Sequence, residues 1–199
     1  MGAGMSEQLV CGLDEAGRGA LAGPVVAAAV VLPAGCAHPL IADSKVLHPS
    51  LREELAVEIR HLAIAWGIGQ AEPEEIVELN VLGATMLAMQ RAFAGMGVEP
   101  DNIIVDGPYY PPGLPPGRAL VRADVRVLAV SAASILAKVH RDALMRDYGR
   151  SFPQFGFAQH KGYATPQHLA ELARYGPVSI HRSSFRPVAQ AARQVAESI

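Results

Sequence analysis

Residues 9–32 read LVCGLDEAGRGALAGPVVAAAVVL. The apolar lead-in Leu9, Val10, Cys11 and Leu13 runs into two adjacent carboxylates, Asp14 and Glu15. A glycine-rich turn follows, with Gly17, Arg18 and Gly19, then Gly23 and Pro24. A valine- and alanine-rich run occupies 25–32. The pattern predicts a strand with an acidic end, a tight turn and a second strand. Adjacent carboxylates at the end of an apolar strand repel each other and lose hydration unless a cation sits between them, so the pair suggests a divalent metal. The glycines are similar to a dinucleotide-binding fingerprint, but that motif opens a helix. Here Pro24 and a short β-branched run follow, which predicts a strand and leaves no room for the phosphate-binding helix. The other use of such glycines is close approach of backbone groups to a ligand.

The chain has 199 residues, half of them hydrophobic, enough for one domain with a sizeable core or one domain and a small appendage. Its formal charge of −2 excludes a polyelectrolyte binder. Any nucleic-acid contact must come from a local basic face. The later part of the chain supplies candidates for it, among them Lys138, Arg141, Arg146, Lys161 and Arg182. Cys11 and Cys36 lack metal or disulfide spacing and read as reduced packing residues of a cytoplasmic protein. The longest apolar run is too short to span a bilayer, and no signal peptide is expected. Gly2 and Ser6 match a loose myristoylation pattern, read as chance or as an upstream start before Met5.

Further along, 51–62 has apolar Leu51, Leu55, Ile59 and Leu62 at helical spacing, and 64–69 reads as a third strand. Pro73 opens a short acidic helix, and Asn80 can cap a longer one over 81–95. Residues 102–105 form a short buried strand ending at Asp106. The segment 107–118 carries five prolines and reads as an irregular loop. A short strand at 119–121 leads to Asp124, and a long helix covers 130–148. Residues 151–162 read as a loop, Thr165 caps a helix from Pro166 to about Tyr175, and a last helix starts at Pro187. These elements predict a mixed sheet flanked by helices. With Asp14 and Glu15, Asp106 and Asp124 place acids at three strand ends or exits. Sites in open α/β sheets gather there. If the strands are neighbours, the four carboxylates call for hard cations such as Mg²⁺ or Mn²⁺. An isolated acid after a strand is otherwise a turn or cap residue.

The stretch DEAGRGALAGPVVAAAVVL resembles the N-terminal signature of ribonuclease HII, as do VDG at Asp106 and RAD before VSAASILAKVHRD. The resemblance spans roughly 9–188. It implies a ribonuclease H-like catalytic domain over 1–150, with a small helical C-terminal extension over 151–199 packed on it. It implies an endoribonuclease that hydrolyses the RNA strand of RNA–DNA hybrids. Such an enzyme also cuts 5′ of single ribonucleotides in duplex DNA, leaving 3′-OH and 5′-phosphate ends. Asp14, Glu15, Asp106 and Asp124 would be its catalytic residues and hold two Mg²⁺ or Mn²⁺ ions. Gly17, Arg18 and Gly19 would read the ribose 2′-OH, and Tyr163 would pack on the adjoining sugar. Ser44, Lys45, Lys161 and Thr165 would contact phosphates, whereas 181–185 is read as mainly structural. Asp142 either orients a metal-bound water or pairs with Lys138, Arg141 or Arg146. The chain departs from the family pattern at Ala20, Val46, Pro108 and Ala164. The expected protein is a monomer with no membrane contact. Two other readings are a non-catalytic hybrid-binding module and a nuclease acting on DNA structures alone.

Overall fold

A computed structural model describes residues 8–42 and 48–197. Ser44 and Lys45 lie outside the described residues. Strands β1 (Val10–Ala16), β2 (Val25–Val31), β3 (Ala65–Ala71), β4 (Asn102–Asp106) and β5 (Gly117–Leu120) form one sheet in the order β3-β2-β1-β4-β5. The first three run antiparallel, while β4 and β5 join β1 in parallel. This is the mixed sheet flanked by helices expected from the order of elements.

Helices α1 (Pro39–Ala42) and α2 (Pro49–Leu62) follow β2, α3 (Pro73–Met96) follows β3, and α4 (Leu128–Ser151) follows β5. The C-terminal part adds α5 (Phe157–His160), α6 (Pro166–Tyr175) and α7 (Arg186–Glu197). Alternation along β2 sets the two layers. Val25, Ala27, Ala29 and Val31 pack with Met89, Ala92 and other α3 residues. Val26, Ala28 and Val30 pack with Leu55 and Ile59 of α2 and Ala132, Ile135 and Leu136 of α4. Alanines on both sides let the helices approach closely.

The expected split at Asn80 is present as a break inside α3, where Asn80 has φ 58° and ψ 171°. Its Oδ1 accepts from the N–H groups of Leu82 and Gly83, so it caps the second half as a side-chain acceptor should. Thr165 caps α6 by accepting from His168 N, with Pro166 at the first helical position. Three expectations need adjustment. The loop 107–118 ends two residues early, because Gly117 and Arg118 already pair with Ile103 and Ile104. The loop 151–162 contains the single turn α5. Asp124 sits on a 3₁₀ turn, Ala123–Val125, rather than at a strand end.

Candidate active site

Asp14 and Asp106 each lie one residue beyond the last named pair, Leu13 opposite Val105, of two adjacent parallel strands. The sheet therefore brings together two acids separated by 92 positions in the chain. Asp14 is buried, faces α4, and accepts hydrogen bonds from the Ser134 side chain and from Glu15 N, the latter at 2.7 Å. Burial, with Glu15 and Asp106 as like charges nearby, pushes the Asp14 carboxyl up to about 8. Burial also raises Glu15, against the opposing pull of Arg18, whose Nη1 donates to Glu15 Oε1 at 3.2 Å. Asp106 Oδ1 accepts from Ala123 N at 2.7 Å, which ties the 3₁₀ turn bearing Asp124 to the end of β4. The Ser131 hydroxyl donates to the Asp124 carbonyl and anchors the same turn to α4.

The donor set is all oxygen and all acidic, and burial holds two members above the usual carboxylate range. Such a set fits a hard divalent cation, whose charge would offset the repulsion that raises Asp14. Among the described residues no three His, Cys, Asp or Glu groups stand close enough to hold an ion as they are placed. Closure around a cation therefore requires side-chain movement.

The turn at 17–24 is shaped by two arginines expected on the basic face. Instead, both are fully buried. Arg141 donates from Nε to Pro24 O (3.0 Å), from Nη1 to Lys161 O (2.9 Å) and from Nη2 to Ala22 O (3.0 Å). Arg182 donates from Nε to Gly23 O (2.9 Å), from Nη1 to Arg18 O (2.9 Å) and from Nη2 to Gly17 O (2.7 Å). A buried cation requires acceptors, and here five carbonyls of one turn supply most of them. Gly17 has φ +93°, and a Cβ on it would fall 2.0 Å from Arg141 Nε, so glycine is needed there for packing as well as for conformation. A Cβ on Gly19 would meet nothing within 4 Å.

Tyr163 is half-exposed, and the Arg141 guanidinium carbon lies 5.4 Å from its ring centroid. Arg141 thus joins Tyr163 to the Gly17 turn. A direct backbone bond, Leu21 N to Gly162 O at 2.7 Å, does the same. Lys161 adopts φ 53°, and its Nζ donates to Ala158 O. The Thr165 hydroxyl oxygen serves the helix cap. Asp142 accepts from Lys138 Nζ at 2.7 Å, one of the i,i+4 pairings expected for it. Nothing in the sequence marks Ser134 or the inward role of Arg141, and although 181–185 reads as structural it does not show that Arg182 grips the 17–24 turn. An arginine flanked by polar residues carries no local mark of burial.

A family model described as Ribonuclease HII matches residues 11–188. A curated Ribonuclease HII from Nitrosococcus oceani is 51% identical over 181 residues, covering 91% of this chain and 90% of that protein. The crystal structure of the ribonuclease H2 from Pyrococcus horikoshii OT3 superposes with a TM-score of 0.78 at 25% identity, covering 95% of this chain and 99% of that one. The ribonuclease HII in a PCNA complex from Archaeoglobus fulgidus gives a TM-score of 0.73 at 27% identity, covering 96% and 100%.

Proposed function

The chain belongs to the ribonuclease HII family of metal-dependent endonucleases acting on RNA–DNA substrates, and from that premise we propose how its residues do so. The proposed reaction is hydrolysis of the RNA strand of a hybrid, and cleavage 5′ of a single ribonucleotide in duplex DNA, leaving 3′-OH and 5′-phosphate ends. The observation that carries this reading is the adjacency of two different surfaces. The acidic ends of β1 and β4 lie beside the carbonyl-anchored turn 17–24, and Arg141 links that turn to Tyr163.

Asp14, Glu15, Asp106 and Asp124 would hold two divalent ions, Mg²⁺ or Mn²⁺. Bound there, the ions would lower the pKa of a water and balance charge on the leaving oxygen. Asp14 is oriented for this by Ser134 and by Glu15 N, and Asp106 by Ala123 N. Gly19, with open space where a Cβ would stand, lets the backbone reach a ribose 2′-OH. Arg18 and the held carbonyls of Gly17 and Arg18 flank it. The Tyr163 ring offers a face for the neighbouring sugar. Ser44, Lys45, Lys161 and Thr165 remain proposed phosphate contacts. We also read 1–150 as the catalytic domain and 151–199 as an extension packed on it, the chain acting as a monomer in the cytoplasm. Free cysteines agree with that compartment. Among the described residues no helix is long and apolar enough to cross a membrane.

The test is an end-labelled DNA duplex carrying one ribonucleotide, beside an RNA–DNA hybrid and an all-DNA duplex, with Mg²⁺ or Mn²⁺. Cleavage 5′ of the ribonucleotide, with the all-DNA duplex intact, is expected. Equal cleavage of the all-DNA duplex, or none of the ribonucleotide duplex, overturns the reading.

Two further outcomes follow. Gly19→Ala leaves the melting temperature nearly unchanged, within about 0.5 kcal/mol of stability, because its methyl meets only solvent. Ribonucleotide cleavage by this variant falls about tenfold or more, because the methyl occupies the space reserved for the sugar. Metal binding is also expected to depend on pH. The Asp14 carboxyl, raised to about 8, must lose its proton to accept a cation, so apparent affinity rises with pH below about 8 and levels off above it. Calorimetric titration of Mn²⁺ at pH 7 in two buffers of different ionisation enthalpy reads the proton released. The same heat in both buffers would contradict this account.

A further inference from the structure

The segment 181–185 takes no part in the carboxylate cluster, yet its first two side chains are buried beneath the turn and beneath Tyr163. Arg182 holds the carbonyls of Gly17, Arg18 and Gly23, as described above. His181 begins a chain of hydrogen bonds whose direction the backbone dictates. The N–H of Val178 can only donate, and it donates to His181 Nδ1 at 2.9 Å, closer than the Val178 carbonyl at 3.3 Å. A neutral His181 therefore carries its proton on Nε2, which faces His168 Nε2 at 3.0 Å. A neutral His168 accepts there and carries its own proton on Nδ1, which donates to the Tyr163 carbonyl at 3.0 Å. These tautomers are assigned from the bonding pattern, with a fixed donor at one end and a fixed acceptor at the other.

A second arm grips the residue before Tyr163. Gly162 N donates to His160 Nδ1 at 3.1 Å, so the His160 proton lies on Nε2, facing Glu171 Oε2 at 3.0 Å. The rings of His160 and His168 stack at 4.2 Å. Phe155 and Phe157 close the other side of the pair His168 and His181. Burial in this aromatic shell lowers His168 and brings His181 down to about 4, so both stay neutral near pH 7.

We propose that His168 and His181 are positioning residues for ribonucleotide recognition: their directed hydrogen bonds fix the Tyr163 backbone while Arg182, next in the chain, fixes the 17–19 turn. One dipeptide, His181 and Arg182, thereby sets the relation between the two parts of the recognition surface. The inference rests on the reading of Tyr163 and the turn given under Proposed function, and extends it to residues that touch no substrate.

Matched replacements separate this role from plain core packing. His168→Asn keeps a donor near the Nδ1 position and can still bond the Tyr163 carbonyl. His168→Gln places its amide near Nε2, keeping a bond to His181 and losing the one to Tyr163. In single-ribonucleotide cleavage, kcat/KM is expected to fall about tenfold for the Gln variant and to stay within about threefold of wild type for the Asn variant. In a Tyr163→Ala background the two replacements become equivalent, since the relay acts only through Tyr163. A parallel contrast at 181 guards against a variant that fails to fold: His181→Gln, which keeps the donor to His168, should outperform His181→Leu. Full activity of Tyr163→Ala itself would refute the underlying reading of Tyr163. An impaired Tyr163→Ala accompanied by equal Asn and Gln activities at 168, or by an Asn–Gln difference that persists in that background, would refute the positioning role alone.

Discussion

Asp14→Asn is expected to lower kcat by about a thousandfold or more, and to make the metal-free protein more stable at neutral and alkaline pH. The two effects share one cause. In the metal-free protein Asp14 is buried beside Glu15 and Asp106, which drives its carboxyl up to about 8 from the ordinary 3.8. A group whose folded-state pKa is raised favours the fold in its protonated form. The stability it contributes is fully present below about pH 4 and is lost as pH rises towards 8. Asparagine retains the size and an acceptor for Glu15 N and Ser134, but carries no charge to desolvate. Melts of metal-free wild type and variant across pH 5–9 should therefore diverge, the variant showing the flatter profile. The gain in melting temperature that Mn²⁺ gives wild type should shrink or vanish in the variant. Undiminished cleavage by Asp14→Asn would remove Asp14 from the metal site. A steeper fall of stability with pH in the variant would show that the carboxyl is not the source of the strain.

Gly12→Ala is expected to cost about 3 kcal/mol of stability, lowering the melting temperature by roughly 10 °C, and to reduce cleavage as well. Gly12 lies on β1 two residues before Asp14, on the face against which the first turn of α4 is seated. A Cβ there would fall 2.3 Å from both Ala129 C and Val130 N, and 2.6 Å from Ala129 O. These are backbone atoms at the start of a 24-residue helix, so a rotamer change cannot relieve the overlap. The helix must lift off the strand, and Ser134, one turn further on, moves away from Asp14. Thermal unfolding and single-ribonucleotide cleavage measured together check both parts. A melting temperature within 2 °C of wild type would show that α4 yields far more easily than packed backbone should. Gly19→Ala provides the contrast, because there the added methyl meets nothing.

The sheet and its acidic ends were largely legible along the chain, because they depend on local order. The apolar run at 25–32, the Asn80 break, the Thr165 cap and the Pro166 start are all decided within a few residues, and each appears where its side chain dictates. Asp124 was placed less well. Its 3₁₀ turn is held by Asp106 and Ser131, partners 18 residues before and 7 after, which no local propensity reveals.

From the order of residues alone came the fold class, the acids at the strand ends and, through the resemblance, the family and its candidate site. Tertiary structure alone decided which polar side chains turn inward. Arg141 reads as a surface cation, and Arg182 both as a basic-face candidate and as part of a structural segment, yet the carbonyls that hold them lie 117 to 165 residues away in the turn, with one more at Lys161. Likewise His168 and His181 become a directed relay only because α6 and the segment after it fold back over residues 17–24. A buried cation or a neutral imidazole is stable only where distant carbonyls and N–H groups meet it, and that meeting is a property of the assembled fold.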